Sequence, residues 1–291
     1  MNAPEQSAAT TGAEPTQLPS PPDYLAARAV FAETYLTGEG LEIGPLHQPL
    51  ATPRGATARY VDRMRIDDLR REYPELRDWN LTEVDIVDDG EKLATIADES
   101  QDFIVANHFL EHTEDPIGTI GTHLSKLKPG GILFYAVPDK RYTFDYRRPV
   151  TPLEHMVADH EEGPQRSRRQ HYEEWSQLVL DAATDQDWEK RAIELEEAAY
   201  SIHMHVWTQA EFLRLILACR EHYDDAFDIE ATAHREIEFM VVLRKNGASP
   251  APGPDAQATL RSLPQAGAVP NLSFRRRLRR ALRAAKRELV G

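Results

Sequence analysis

Apolar positions along the chain switch between a period of two and a period near 3.6, and the switching predicts strands alternating with helices. "GLEIG" (40–44) is a short apolar run closing on glycine, and "ATARYVDRM" (56–64) reads as a second strand ending at Asp62. "LTEVDIV" (81–87), "QDFIVANHF" (101–109) and "ILFYAVPD" (132–139) read as strands three to five, with Lys128-Pro129-Gly130-Gly131 as the turn into the last. Between them "IDDLRREYPEL" (66–76) and "PIGTIGTHLSKL" (116–127) carry helical spacing. "DYLAARAVFAETYL" (23–36) precedes the first strand, with Asp23 as N-cap and an apolar face through Leu25, Ala29 and Leu36. Strands joined by crossover helices predict an α/β, doubly wound, mostly parallel sheet.

The rhythm breaks at Pro138. Residues 139–200 are polar, aromatic and dense in His and Arg, and the pattern resumes with the helix "TQAEFLRLILACREH" (208–222). The strands "FDIEATAHR" (227–235) and "EIEFMVVLRK" (236–245) follow, joined so tightly that they must form an antiparallel hairpin. An insertion after a strand's carboxyl end sits over the ligand crevice of an open α/β sheet, so 139–200 is expected to cap the substrate. The domain core then spans 23–245, preceded by a disordered arm (1–22) and followed by a flexible linker (246–270) and a basic amphipathic helix (271–291).

Composition changes this picture little: 41% hydrophobic and 28% charged residues in 291 suit a soluble globular protein. The single cysteine, Cys219, lies in an apolar helical pattern and excludes a disulfide framework within one chain. The net charge of −14 argues against nucleic acid as partner, but it is uneven. Residues 270–291 hold seven Arg and Lys286 against Glu288, a local +7 that leaves the rest near −21. Phe274, Leu278, Leu282 and Leu289 recur there at helical spacing, so the tail could contact an anionic membrane from the cytoplasmic side or remain a solvated helix. The amino terminus lacks the basic and apolar regions of a secretory signal, and the expected location is cytoplasmic, with peripheral contact at the inner face of the membrane.

Chemistry concentrates at strand ends. Glu42 and Gly44 close the first strand; Asp62, twenty residues on, stands where a nucleotide-binding α/β fold places an acid for ribose hydroxyls. Asp88, Asp89 and Gly90 follow the third strand, and Asn107 and His108 close the fourth.

In this order, "DGEKL", "DFIVANHFLEH", "LKPGG" and "AVP" resemble the class I S-adenosylmethionine-dependent methyltransferases, over about residues 35–140. "HMHVWTQAEFLRLI" is similar to the same branch's pattern before its last helix. The resemblance implies a Rossmann-like seven-stranded sheet and S-adenosyl-L-methionine as cofactor. It implies that Glu42 faces the cofactor's amino-acid portion, Gly44 and Pro45 form the loop beneath it, and Asp62 holds the ribose. Asp89 and Gly90, with Asp88 as an alternative, would border the adenine, and Asn107 the methionine part. One departure stands out: where the family's first motif repeats glycine, this chain has Leu46 and Gln48. That loss weighs more against a nicotinamide dinucleotide than against a sulfonium amino acid.

In-line methyl transfer needs positioning, and an oxygen nucleophile also needs a base. Candidate bases are His108, His155 and His205; His203 and His205 alternate with Met204 and would share a side of an extended segment. Glu154-His155 and Asp159-His160 with His203 or His205 could supply metal ligands, but acidic-histidine helix faces are common and no metal is assigned. Arginines and aromatics in the insertion (Arg141, Arg147, Arg148, Tyr142, Phe144, Tyr146) suit a sugar or an anionic group. The expected activity is O-methylation of a small molecule or a glycan or lipid-linked sugar. The alternatives are a non-catalytic scaffold at a membrane surface and a nicotinamide-dependent oxidoreductase. Oligomeric state is not legible.

Overall fold

The computed structural model describes residues 23–72, 79–180 and 187–247. Seven strands form one sheet among them: β1 (Gly38–Ile43), β2 (Ala56–Asp62), β3 (Ile86–Val87), β4 (Gln101–Asn107), β5 (Leu127–Pro138), β6 (Phe227–Arg235) and β7 (Glu238–Lys245). Their order is β3-β2-β1-β4-β5-β7-β6, parallel through β5, with β7 antiparallel to both neighbours. This is the mostly parallel seven-stranded α/β sheet of the Rossmann-like methyltransferase fold. Helices are α1 (Asp23–Tyr35), α2 (Ile66–Glu72), α3 (Pro116–Lys126), α4 (Leu153–Glu162), α5 (Arg168–Leu178), α6 (Trp188–Glu197) and α7 (Gln209–His222).

The central strands are apolar on both faces because helices cover both. On one face Ile104, Ala106, Leu133, Tyr135, Val241 and Leu243 pack against Ile117, Ile120 and Leu124 of α3 and Phe212, Ile216 and Cys219 of α7. The residues between them, Phe103, Val105, Phe134, Ala136, Met240 and Val242, face the opposite way and pack on Ala32 and Leu36. Each strand thus sends alternate residues to two cores, as the pleat requires.

Three expectations need correction. Helix α1 buries Arg28 and Ala32 rather than Leu25 and Ala29 of the expected face, because Arg28 reaches a carboxylate on β7; Leu36, just past the helix end, is buried as expected. Only Ile86 and Val87 of the third predicted strand pair with β2. Just before them the Asp85 carboxylate accepts the Tyr60 amide (2.8 Å), and Leu81 and Val84 turn aside to pack on Leu69. Lys128 to Gly131 do not precede β5 but bulge within it: Leu127 pairs with Gln101 and Ile132 with Phe103, and Gly130 takes φ +80° to permit this.

Residues 139–180 and 187–207 form short 3-10 turns with α4, α5 and α6, and have a small core of their own around Tyr172, Trp175, Leu195, Ile202 and Met204. Main-chain bonds dock the segment on the sheet's carboxyl edge: Asp139 donates to Ile237 (2.8 Å) between β6 and β7, and Met204 donates to Glu111 (2.7 Å). The arm at 1–22 and the linker and basic helix at 248–291 lie outside the described residues.

Candidate active site

Parallel strands end on one edge, and the order β3-β2-β1-β4 sets four carboxyl ends side by side. Ile43 lies level with Val61 and Ala106, and Asp62 with Val87. Glu42, Asp62, Asp88, Asp89 and Asn107 are therefore brought to one edge by sheet register alone.

Glu42 is buried, and both of its carboxylate oxygens accept the Leu50 amide (2.9 and 3.0 Å). Burial pushes its pKa up to about 7, against the lowering effects of Leu50, Arg28 and Asn107. The carboxylate ties the loop 44–50 back to the strand, a task that repeated glycines do not perform here. Gly44 has φ +61° and open space where a Cβ would stand, so it is required for its conformation, not for close approach. Leu46 occupies a left-handed conformation itself, φ +46°. The backbone shape that glycine usually supplies is kept, with the Leu46 side chain packed on the Leu69, Leu81 and Val84 cluster. Pro45 is buried beneath this loop, and its carbonyl accepts the Gln48 amide (2.9 Å).

Asp62, also buried, has its pKa pushed up to about 6 by burial, partly offset by the Arg63 and Met64 amides and the Arg63 charge. Asn107 approaches Glu42 and eases its carboxyl down, though neither buried amide atom makes a hydrogen bond of good geometry. After β3 the two aspartates separate in character. Asp88 accepts the Asp89 amide, the Thr95 amide and the Thr95 hydroxyl (2.8, 2.8 and 2.6 Å); burial would raise its pKa, but these bonds hold it below the ordinary value. Asp89 is half exposed and accepts the Glu91 amide (2.9 Å). Gly90 has no room for a side chain, since a Cβ would lie 2.7 Å from Ile43 and Phe109. Its carbonyl sits 2.8 Å from His123 Nε2, while His123 Nδ1 lies 2.8 Å from the Tyr135 hydroxyl, a buried chain that anchors the loop from behind.

His108 follows β4 with φ +49°, a left-handed backbone in which a side chain is strained. Its Nε2 lies 2.8 Å from Glu238, which Arg28 grips through two further bonds from α1. Burial lowers the His108 pKa, the Glu238 carboxylate working against this. Close by, Glu111 is wholly buried with both carboxylate oxygens unpartnered, and burial raises its pKa well above the usual range. His203 Nδ1 lies 2.7 Å from Asp145, which also pairs with buried Arg148 (3.0 Å).

The three candidate bases do not converge. His155 and His205 meet each other and His171, in a cluster between α4, α5 and the extended segment 201–206. His203 and His205, expected on one side, enter different clusters, and His160 turns to Asp115 (2.8 Å). Arg28, Glu238, Asp145 and His171 were not singled out from sequence for the site; "LEH" contains Glu111, but nothing local marks Glu238 as its long-range neighbour.

Residues 28–217 match the family model described as a methyltransferase domain. No curated protein matches the chain. Among solved structures, an S-adenosylmethionine-dependent methyltransferase of Methanosarcina mazei is 18% identical over 75% of this chain and 96% of its own, with a TM-score of 0.41. One from Thermotoga maritima is 16% identical over 77% and 89%, with a TM-score of 0.42. The CurJ carbon methyltransferase is 14% identical over 73% of this chain, with a TM-score of 0.39, and this chain spans about half (49%) of its length. At these TM-scores the likenesses add no weight to the family match.

Proposed function

We propose, on the premise that this chain belongs to the methyltransferase-domain family, that it methylates a hydroxyl oxygen of a small molecule or glycan with His108 as general base. The enzyme is an S-adenosyl-L-methionine-dependent methyltransferase, and the nicotinamide alternative falls with that. The donor supplies a methyl group on a positively charged sulfur, open to in-line displacement.

The strand-end edge fits such a cationic ligand. Glu42 and Asp62 are buried carboxyls that their own neighbours fail to bring down to the ordinary value, and Asn107 holds two unpartnered amide atoms beside them. Glu42 and Asn107 would hold the amino-acid end, Gly44 and Pro45 the loop beneath it, and Asp62 the ribose hydroxyls. Asp89 and Gly90 border the adenine; Asp88, saturated by Thr95 and Asp89, shapes their loop.

The observation that carries the choice of base is the relay Arg28–Glu238–His108: a fixed carboxylate orients the imidazole, leaving Nδ1 to take the acceptor's proton. Tyr142, Phe144 and Tyr146 are exposed just beyond β5, and Phe144 packs on His203 and Trp175, a platform suited to a sugar ring. An anionic acceptor has less support, because Arg141 is bound by Asp139, Arg148 by Asp145 and Glu174, and Arg168 by Glu114. The segment 139–200 closes over this acceptor. The basic residues 271–291 would bring the enzyme to anionic lipid at the cytoplasmic face; no described helix is long and apolar enough to cross a membrane. Vesicle sedimentation of a tail-deleted chain checks that contact, and undiminished binding would remove it.

The central test is transfer of labelled methyl from S-adenosylmethionine into a cell extract, with the product identified by mass. A methyl ether is expected, and His108→Asn should lower kcat by roughly 10²–10⁴-fold while cofactor affinity holds. A methylated nitrogen or carbon, or an undiminished kcat in that variant, would overturn the reading.

A further inference from the structure

We propose that His155, His171 and His205, with Asp159, bind one divalent transition-metal ion of the zinc type, which pins together α4, α5 and the extended segment 201–206. The three imidazoles each offer a nitrogen, all within 4.8 Å of one another. His155 Nε2 lies 3.0 Å from His171 Nε2 and 3.0 Å from Asp159 Oδ2, and His171 Nε2 lies 4.0 Å from that oxygen. With metal–ligand bonds of about 2.0–2.1 Å, the edges of a tetrahedron measure roughly 3.3 Å, so the two 3.0 Å separations fit as they stand, while the 4.0 Å separation and His205, within 4.8 Å of the other imidazoles, must draw in as the ion binds, with Asp159 completing the set of three imidazoles.

Hydrogen bonding among the four groups leaves lone pairs unmatched. His155 Nε2 stands 3.0 Å from both His171 Nε2 and Asp159 Oδ2 and can donate to only one of them, and His205 Nδ1 is buried without a hydrogen-bond partner. Buried acceptors left in that state are costly, and a cation at their common focus satisfies them together. The outer contacts are those that orient metal ligands. His205 Nε2 faces the Glu114 carbonyl (3.4 Å), His171 bonds the Met204 backbone, and Ser167 donates to the other oxygen of Asp159 (2.7 Å). Four protein ligands and little exposure describe a closed, structural site. Its reach extends to the acceptor pocket, because the amides of Met204 and His205 both donate to the Glu111 carbonyl (2.7 and 3.1 Å).

The full-length chain, stripped with a chelator, is titrated with Co²⁺ and then Zn²⁺. One equivalent of Co²⁺ with the visible absorption of a tetrahedral site, displaced by Zn²⁺, is expected. At free zinc a hundredfold above Kd the melting temperature should rise by roughly 5–10 °C. His155→Gln and His171→Gln should each weaken uptake at least about tenfold, whereas His160→Gln, on the same helix but bonded to Asp115, should not. Should a variant fail to fold, the wild-type titration decides alone: no stoichiometric uptake, or an octahedral spectrum, overturns the proposal, as does uptake unchanged in folded His155→Gln.

Discussion

At the ends of β1 and β2, Glu42 and Asp62 are buried carboxyls with pKa values pushed up, chiefly by burial, to about 7 and about 6. Across the sheet, Asp139, Asp145 and Glu238 are buried as deeply, yet lie below the ordinary value. Burial works against ionisation in both places, so the difference lies in what else is present. Arg141 sits on Asp139, Arg148 on Asp145 and Arg28 on Glu238, while the His203 and His108 rings add hydrogen bonds to Asp145 and Glu238. One region carries its own counter-charges and is rigid before any ligand arrives. At Glu42 and Asp62 the Arg28 and Arg63 charges do not outweigh burial, and under the proposed function a cationic cofactor would supply the remaining neutralisation on binding.

Removing a counter-charge from the self-neutralised half should have the largest effect. Arg28→Leu leaves Glu238 buried and short of its main cation, which costs about 3–5 kcal/mol of folding stability. Urea unfolding at neutral pH measures it, and a loss below about 1 kcal/mol would erase the contrast. On the cofactor side the sign reverses. A carboxyl whose folded pKa is raised contributes stability that is complete below its unfolded pKa and lost as pH rises through the folded one. For Glu42 the window runs from 4.5 to about 7, and the loss amounts to about 3 kcal/mol by pH 8. Glu42→Gln, still able to accept the Leu50 amide, should therefore be more stable than wild type at pH 8, with the gap closing by pH 5. Stability curves that remain parallel across that range would show that the carboxyl is ionised at no cost.

Asp62→Ala sharpens the comparison from the ligand's side. Loss of charged hydrogen bonds, at about 1.5–3 kcal/mol, should weaken S-adenosylmethionine binding by roughly ten- to a hundredfold in calorimetry. Folding stability at pH 8 should not fall, since a carboxyl held at a raised pKa is no help to the fold there. An enzyme that kept its affinity would place the ribose elsewhere.

The two halves also differ in how far the sequence discloses them. Asp62, Asn107 and the Asp88-Asp89-Gly90 turn could be placed because each follows an apolar run, and parallel register then carries every run to the same edge. Glu238 could not. It meets Arg28 across 210 residues and His108 across 130, a convergence that no local periodicity encodes. His203 and His205 were misplaced for a related reason. Alternation predicts a shared side only on a regular strand, and 201–206 is irregular, each residue following the docking bonds to Glu111 and Thr151. Leu46 stands where the family's first motif repeats glycine, yet it retains the left-handed backbone and adds a packed side chain.

That last point yields the smallest and cleanest test. Gly44 and Gly90 both border the proposed cofactor edge, but their needs are opposite. At Gly44 a methyl group would meet nothing within 4 Å, so Gly44→Ala tests backbone conformation alone, at about 1–2 kcal/mol for a left-handed φ of +61°. At Gly90 φ is not left-handed, and the cost arises instead from contacts of 2.7 Å with Ile43 and Phe109, which would displace the adenine loop. Gly44→Ala should consequently lower the melting temperature slightly and leave cofactor affinity within about twofold, Leu46 having shown that this loop accommodates a side chain at positive φ. Gly90→Ala should act mainly on affinity. If Gly44→Ala instead abolished binding while folding normally, the loop would approach the ligand as closely as a glycine-rich one. The carboxylate tie from Glu42 to Leu50 would then not be what replaces the missing glycines.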